Sequence, residues 1–313
     1  MSAGAVEQLP YWGPLAALAA LVVVALSGAV ADGVLSARAG GARRGALAPI
    51  AEGARLLRQR RRTTVAADAV LRQVGVMGLM VAAALKVAVL PVGTWVVSDL
   101  DVGLVWFNTM DVLVWAFVWL AGWGTNSVYP LVGGYRFLAL ALAYELPLMF
   151  ALTAPAIAAG SLRMGDIVAA QDGLWFVVWM PLAFLVFVAA VLAFSLQRPF
   201  TAPISADLGG GVLAELSGMD RLLLLAGRYA LLAAGSGFAV ALFLGGGSGP
   251  WFPAWFWFLA KTVALLWLLV AVRQRVPQLR PEQLMAPAWV VGLPLVLVQL
   301  LIVSIVTITG RGS

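Results

Sequence analysis

An all-α integral membrane protein of about eight transmembrane helices, with one amphipathic interfacial helix and both termini outside, is predicted by three observations. Hydrophobic residues make up 63% of the 313-residue chain and charged residues only 11%, with a mean hydropathy of +0.98. Such values belong to polytopic membrane proteins and leave no room for a separate water-soluble domain. Apolar windows of about 20 residues, enough to cross the hydrocarbon core, recur along the chain. The two basic connections, Arg38 to Arg72 and Arg273 to Arg280, fall on the same side, as an even number of spans requires, with the acidic 98–101 connection opposite.

The windows fall near 12–36, 73–95, 103–122, 136–160, 174–195, 221–245, 252–272 and 287–309, within one polytopic domain covering 1–313. The first is preceded by Glu7 and followed by arginines, so it reads as a retained span with its N-terminus outside and not as a cleaved signal peptide. Between the first two windows lies a basic segment, 46–62, that is not a span. Much of the net charge of +6 gathers between Arg38 and Arg72, where Arg43, Arg44, Arg55, Arg58, Arg60, Arg61 and Arg62 also fall. In a membrane protein this is a topology signal, and no nucleic acid partner is inferred from it. Leu47, Ile50, Ala54 and Leu57 recur at helical spacing while Arg55, Arg58 and Arg62 line another face. That pattern suits a helix lying in the interface; the plainer reading is a cytoplasmic loop.

Ser98-Asp99-Leu100-Asp101 carries two acids and no base, and so belongs outside. Arg163, Asp166 and Asp172 make a short outer loop of mixed charge. The inner polar loop 197–221 is the longest polar connection after the basic segment, and long loops on a rigid helical scaffold often carry binding function. Its Gly209-Gly210-Gly211 run lacks the Lys-Ser/Thr of a phosphate loop and reads as a tight or flexible turn. After an uncharged outer turn, 245–250, Trp251, Phe252, Trp255, Phe256 and Trp257 sit where an interfacial aromatic belt is expected. The inner loop 273–286 is basic again.

Cysteine and histidine are both absent. Iron–sulfur clusters, zinc sites and Cys/His nucleophile pairs are therefore excluded as groups this chain holds, and haem ligation is left with methionine and tyrosine as weak candidates. Neither a catalytic residue nor a metal ligand is assigned. If electrons pass, they reside on a partner or a diffusible carrier.

Ionisable groups inside the spans are the remaining signals, each costing roughly 2.5–3.5 kcal/mol on insertion scales. The stretch from Gly122 to Glu145 crosses a turn, Thr125-Asn126-Ser127, and then carries Arg136, Tyr144 and Glu145. Glu145 reads as functional. Arg136, near the expected mouth of its helix, reads equally as an interfacial anchor. Asp111 marks a proton path or faces a neighbour near a helix end, and Lys261 suits a pairing with a bundle carboxylate.

These residues carry a resemblance. The chain resembles the NuoH family of bacterial NADH–quinone oxidoreductase, the counterpart of mitochondrial complex I subunit 1, and its relatives in membrane-bound hydrogenases. The most specific matches are Gly122-Trp123 with Asn126-Ser127, Tyr129, Arg136 and Tyr144-Glu145, and the run from Arg273 to Met285 with Trp289 and Pro294. Shorter ones are Asp99 to Leu104, Lys261-Thr262, Glu215 with Ser217-Gly218-Met219, and Pro49 with Glu52-Gly53-Arg55-Leu56.

The resemblance implies a heel-shaped membrane component without a redox centre or other bound cofactor. Docked to hydrophilic iron–sulfur subunits on the cytoplasmic face, and beside antiporter-like and small membrane subunits, it would form a chamber for a quinone substrate in the plasma (inner) membrane. By position Glu145, Tyr144, Arg136 and Asp111 fall to the proton path. Glu52, Arg55, Phe200, Asp207, Glu215 and Arg228 fall to the quinone chamber, and the segment from Leu47 to Arg58 frames its entrance. The chain also departs from the family. The stretch from Pro199 to Leu208 keeps one acid, Asp207, where the family is rich in glutamates, and Arg228 stands where a glutamate is often found, so that either the chamber is degenerate there or Arg228 pairs with Asp207 or Glu215. Lost carboxylates remove proton acceptors and alter the field in the chamber, so a divergent paralogue in a complex-I-like assembly is expected. The alternatives are the membrane anchor of an energy-converting nickel–iron hydrogenase or formate hydrogenlyase, and a secondary transporter using Glu145, Asp111 and Lys261, for which the sequence offers no internal repeat.

Overall fold

The computed structural model describes residues 6–40 and 45–311. Two of the clustered arginines, Arg43 and Arg44, lie outside the described residues. Among the described residues, seven helices are long and apolar enough to cross a membrane, and a further apolar helix is shorter. The all-α integral membrane fold expected from hydropathy is the fold observed.

Helix α1 (Gly13–Gly40) is followed by α2 (Ala48–Arg58), which packs across α1 and α9 (Gly218–Phe243). In α2 only Leu56 is buried, while Leu47, Ile50 and Leu57 are exposed beside Arg55 and Arg58. An apolar stripe left open next to a basic one is what an interfacial helix presents to lipid.

Helix α3 (Ala69–Ala88) starts and stops earlier than the 73–95 window. Asp68 caps it, accepting from Val70 N and Leu71 N at 2.9 and 3.0 Å, and Pro91 with Gly93, at φ +68°, ends the apolar run outside the helix. Helix α4 (Gly103–Trp123) agrees with its window. Helix α5 (Val128–Ala159) begins eight residues ahead of the expected 136, because only the four residues from Gly124 to Ser127 separate it from α4. Pro130 sits in its first turn, where a missing N–H costs no intrahelical bond. Arg136 is therefore two turns inside a helix and not at its mouth.

Short α6 (Met164–Ala169) precedes a broken span, α7 (Phe176–Trp179) and α8 (Pro181–Phe194). The break falls at Met180-Pro181, and Gln299 Nε2 donates to the Trp179 carbonyl at 3.0 Å. A backbone acceptor in an apolar setting is thus satisfied by a neighbouring helix. Helix α10 (Ala254–Arg273) matches its window. The last span joins α11 (Pro281–Pro287), a π-turn at Ala288–Gly292 and α12 (Leu293–Arg311).

The loops gather at two ends. At one, β1 (Glu7–Gln8) pairs in parallel with β2 (Trp95–Val96), and Arg163 bridges Asp99, at 3.5 Å, and Asp101. At the other, the basic end, Arg61 and Arg72 grip Asp220 at 2.8 and 3.3 Å, and Leu279 N donates to Pro199 O at 2.8 Å. The polar loop expected over 197–221 ends at Ser217, since Gly218–Arg221 already belong to α9. It contains three 3-10 turns and is not floppy. The glycine run is a tight turn: Gly211 has φ +53°, and a Cβ there would lie 2.0 Å from Pro203 O.

Candidate functional site: a buried charged axis and a lateral chamber

Four helices place charge or its partners in the core. Lys86 of α3 and Asp111 of α4 are both fully buried, with Nζ 2.7 Å from Oδ1. The ammonium also lies over two ring faces, 4.2 Å from the Phe107 centroid and 3.8 Å from that of Phe194 in α8. Rings attract a cation through their quadrupole, so Lys86 is held by one charge and two faces. Phe107 in turn packs on Phe238 of α9 at 4.1 Å, which closes the axis to water.

One turn before Asp111, Asn108 donates to Glu145 Oε1 at 3.0 Å, and Trp115, one turn after it, donates to the Tyr144 hydroxyl at 3.2 Å. Glu145 and Tyr144 of α5 both adjoin Asp111. Asp111 Oδ2 and Glu145 Oε2 are buried and, among the described residues, have no hydrogen-bond partner. Two neighbouring acceptors with nothing to accept from can share an exchangeable proton, which is the chemistry this arrangement offers.

Of the sequence-derived path, Glu145, Tyr144 and Asp111 thus converge. Arg136 does not join them. It reaches the basic end, donating to Asp207 at 2.9 Å and to Ser205 Oγ and Ala202 O at 3.4 Å. The Ser205 hydroxyl, and then Arg136, hold the Asp207 carboxyl below its ordinary range.

Among the described residues Lys261 has no carboxylate partner. Its Nζ donates to Leu244 O and Ser248 O at 2.8 Å and to Gly246 O at 3.2 Å, over the Trp175 ring. The expected carboxylate pairing is replaced by backbone carbonyls of the turn that follows α9, beginning with its C-cap residue Leu244.

A second site opens beside α1. A cavity of about 430 Å³ is walled by Val22, Leu26, Pro49, Leu56 and Leu225, with Asp32, Glu52, Arg228 and Tyr229 among its polar members. Asp32, Arg228 and Tyr229 also line a polar cavity of about 260 Å³ together with Arg198, Arg273 and Gln274. Leu26 is 53% exposed, so the apolar cavity faces the flank that lipid would cover. Asp32 pairs with Arg273 at 2.6 Å and accepts from Tyr229 OH at 2.7 Å and Gln274 Nε2 at 3.1 Å.

Among the chamber residues read from sequence, Glu52 and Arg228 line the cavity. Arg55 lies exposed on Glu52 at 2.5 Å and holds its carboxyl below the usual range. Phe200 is buried in the core, Asp207 is bound to Arg136, and Glu215 accepts from Ser127 Oγ at 3.0 Å. The anticipated pairing of Arg228 with Asp207 or Glu215 does not form, because both acids are engaged elsewhere. Arg228 donates instead to the Leu196 carbonyl.

Lys86, Asp32, Arg72 and Asp220 were not singled out in the sequence. The signal was there for the first two, since each is an ionisable residue inside an apolar window.

Charged pairs buried in a bundle of apolar helices, with an apolar cavity in its flank, define a multi-pass membrane protein with ionisable groups in its core. A family model described as NADH dehydrogenase matches residues 14–304. The chain belongs to this NADH dehydrogenase family. It is 42% identical over 207 residues to the NADH-quinone oxidoreductase H subunit 1 of Geobacter metallireducens, a match spanning 66% of this chain and 63% of the relative. It is 37% identical over 269 residues to the NADH-quinone oxidoreductase H subunit 2 of Geobacter sulfurreducens, covering 82% of each. The corresponding protein of Rhodopseudomonas palustris, also numbered 2, is 39% identical over 220 residues, covering 70% of this chain and 69% of the relative.

Proposed function

We propose that the chain is the membrane subunit of a complex-I-like respiratory assembly that forms a quinone chamber and links quinone reduction to proton translocation. The reading is carried by the apolar cavity framed by α1, α2 and α9, which meets a polar cavity at Asp32, Arg228 and Tyr229. An isoprenoid tail suits the first and an oxygen-bearing ring the second, where guanidinium and hydroxyl donors converge. Family membership supports the same reading. The basic end faces the cytoplasm and both termini face outward, by positive-inside charge, in the plasma (inner) membrane. Iron–sulfur subunits dock on that end and supply electrons, since this chain has no cysteine or histidine with which to hold a cluster. Antiporter-like and small membrane subunits adjoin its flank. Glu145, Tyr144 and Asp111 move the proton, with Lys86 fixing the charge beside them.

A photoactivatable quinone added to native membranes tests the chamber. Label is expected on peptides of α1, α2 and the first four turns of α9, and from a photophore on the ring also on 198–201 and 273–274. Label confined to other helices, or none that unlabelled quinone competes away, overturns it. A nickel–iron subunit co-purifying with the chain would instead favour the hydrogenase or formate hydrogenlyase anchor.

A further inference from the structure

Among the described residues, three guanidinium groups, of Arg198, Arg228 and Arg273, face the polar cavity against one carboxylate, that of Asp32. Arg273 pairs with that carboxylate at its Oδ1, and Gln274 and Tyr229 donate to it as well. Glu52, the acid on the apolar side, is held by Arg55. Arg228 is left with one carbonyl acceptor, and its Nε is buried without a partner. Among the described residues Arg198 forms no ion pair either, but it is exposed, so the cost of an uncompensated charge falls on Arg228.

An unneutralised cation beside an apolar cavity is costly, and a neutral ring oxygen would satisfy its donors without compensating its charge. We propose that the chamber is built for a membrane amphiphile whose headgroup carries a negative charge, a carboxylate or phosphate seated on Arg228 and Arg198, with its tail between α1, α2 and α9. This rests on the chamber reading above and adds the class of ligand. A basic pocket at the end of a lipid-facing cavity is how membrane proteins hold anionic heads from the leaflet. Two sources share the chemistry, an anionic phospholipid and an acid-bearing quinone.

The test uses the intact purified complex in nanodiscs of phosphatidylcholine, with spin-labelled stearic acid and its methyl ester as probes at about pH 9, well above the ordinary carboxyl range. The acid is expected to bind roughly tenfold more tightly than the ester. Arg228→Gln should bring the acid down to the ester's level and leave the ester unchanged. Arg228→Lys, which keeps the charge, should retain the preference and shows that the effect is not misfolding. Equal binding of acid and ester by the unaltered complex, or a preference that survives Arg228→Gln, overturns the proposal, as would follow if a partner carboxylate covers Arg228. Displacement of the bound acid by phosphatidylglycerol then assigns the natural ligand to the bilayer, and retention assigns it to the quinone pool. If acid, ester and photoactivatable quinone all fail to enter, the chamber itself is wrong, a result distinct from loss of the acid preference alone.

Discussion

Lys86 and Asp111 form a salt bridge of 2.7 Å at the centre of the helix bundle, with neither side chain exposed. Breaking a buried pair leaves an uncompensated charge in a low dielectric, at a cost of about 3–5 kcal/mol, whereas replacing both partners with apolar groups is often neutral. Lys86→Met and Asp111→Leu are each expected to lower the thermal unfolding midpoint sharply in detergent, and the double variant to recover most of the loss. Additive losses in the double variant would show that the two side chains act independently.

Glu145 sits in the same axis but spends one carboxyl oxygen on Asn108 and leaves the other unpartnered. Glu145→Gln keeps the shape and the Asn108 contact while removing the exchangeable proton. Assembly is expected to remain intact, with proton pumping per electron reduced severalfold or more, read by acidification around vesicles holding the complex. A complex that falls apart would make Glu145 structural.

Asp207 ties the loop 195–217 to α5 through Arg136. Its folded carboxyl is depressed below the ordinary value, first by Ser205 and then by Arg136. A depressed acid contributes its stability above the unfolded value of about 3.9 and loses it as pH falls through the lower folded value. The protection of amides in 202–208, taken relative to the intrinsic exchange rate at each pH, is therefore expected to fall below about pH 4. Asp207→Asn should show the lower protection already at neutral pH and no added acid step there. The contribution is small, since the pair is solvent-screened.

Gly211 is the position where the loop admits no side chain. Gly211→Ala would place a methyl against Pro203 O in a left-handed conformation, and is expected to cost about 1–3 kcal/mol. Limited proteolysis within the loop should rise, while Gly209→Ala, with open space around its Cβ position, should show only the backbone part of the effect.

The fold was legible because span length and hydropathy are local properties. Window edges were less so. Asp68 as an N-cap moved α3 forward, and Pro130, tolerated in a first turn, let α5 begin eight residues early. The site was half legible. Glu145 and Asp111 stand out in any apolar window, but that they meet, and that Lys86 completes them, depends on the packing of α3, α4 and α5. Asp32 finds Arg273 and Tyr229 at the far end of the sequence, and no local pattern announces it. Lys261 shows the converse error: an intramembrane cation suggested a carboxylate, and carbonyls of the turn after α9 serve in its place.

Membership in a multisubunit assembly is tested most directly by gentle detergent extraction of the tagged chain from its native membrane, followed by mass spectrometry of what elutes with it. Co-elution with iron–sulfur and antiporter-like subunits, and without a nickel–iron subunit, is the expected result. Elution alone, as a stable monomer or homodimer, would contradict it and turn attention to Glu145, Asp111 and Lys86 as the charges of a transporter.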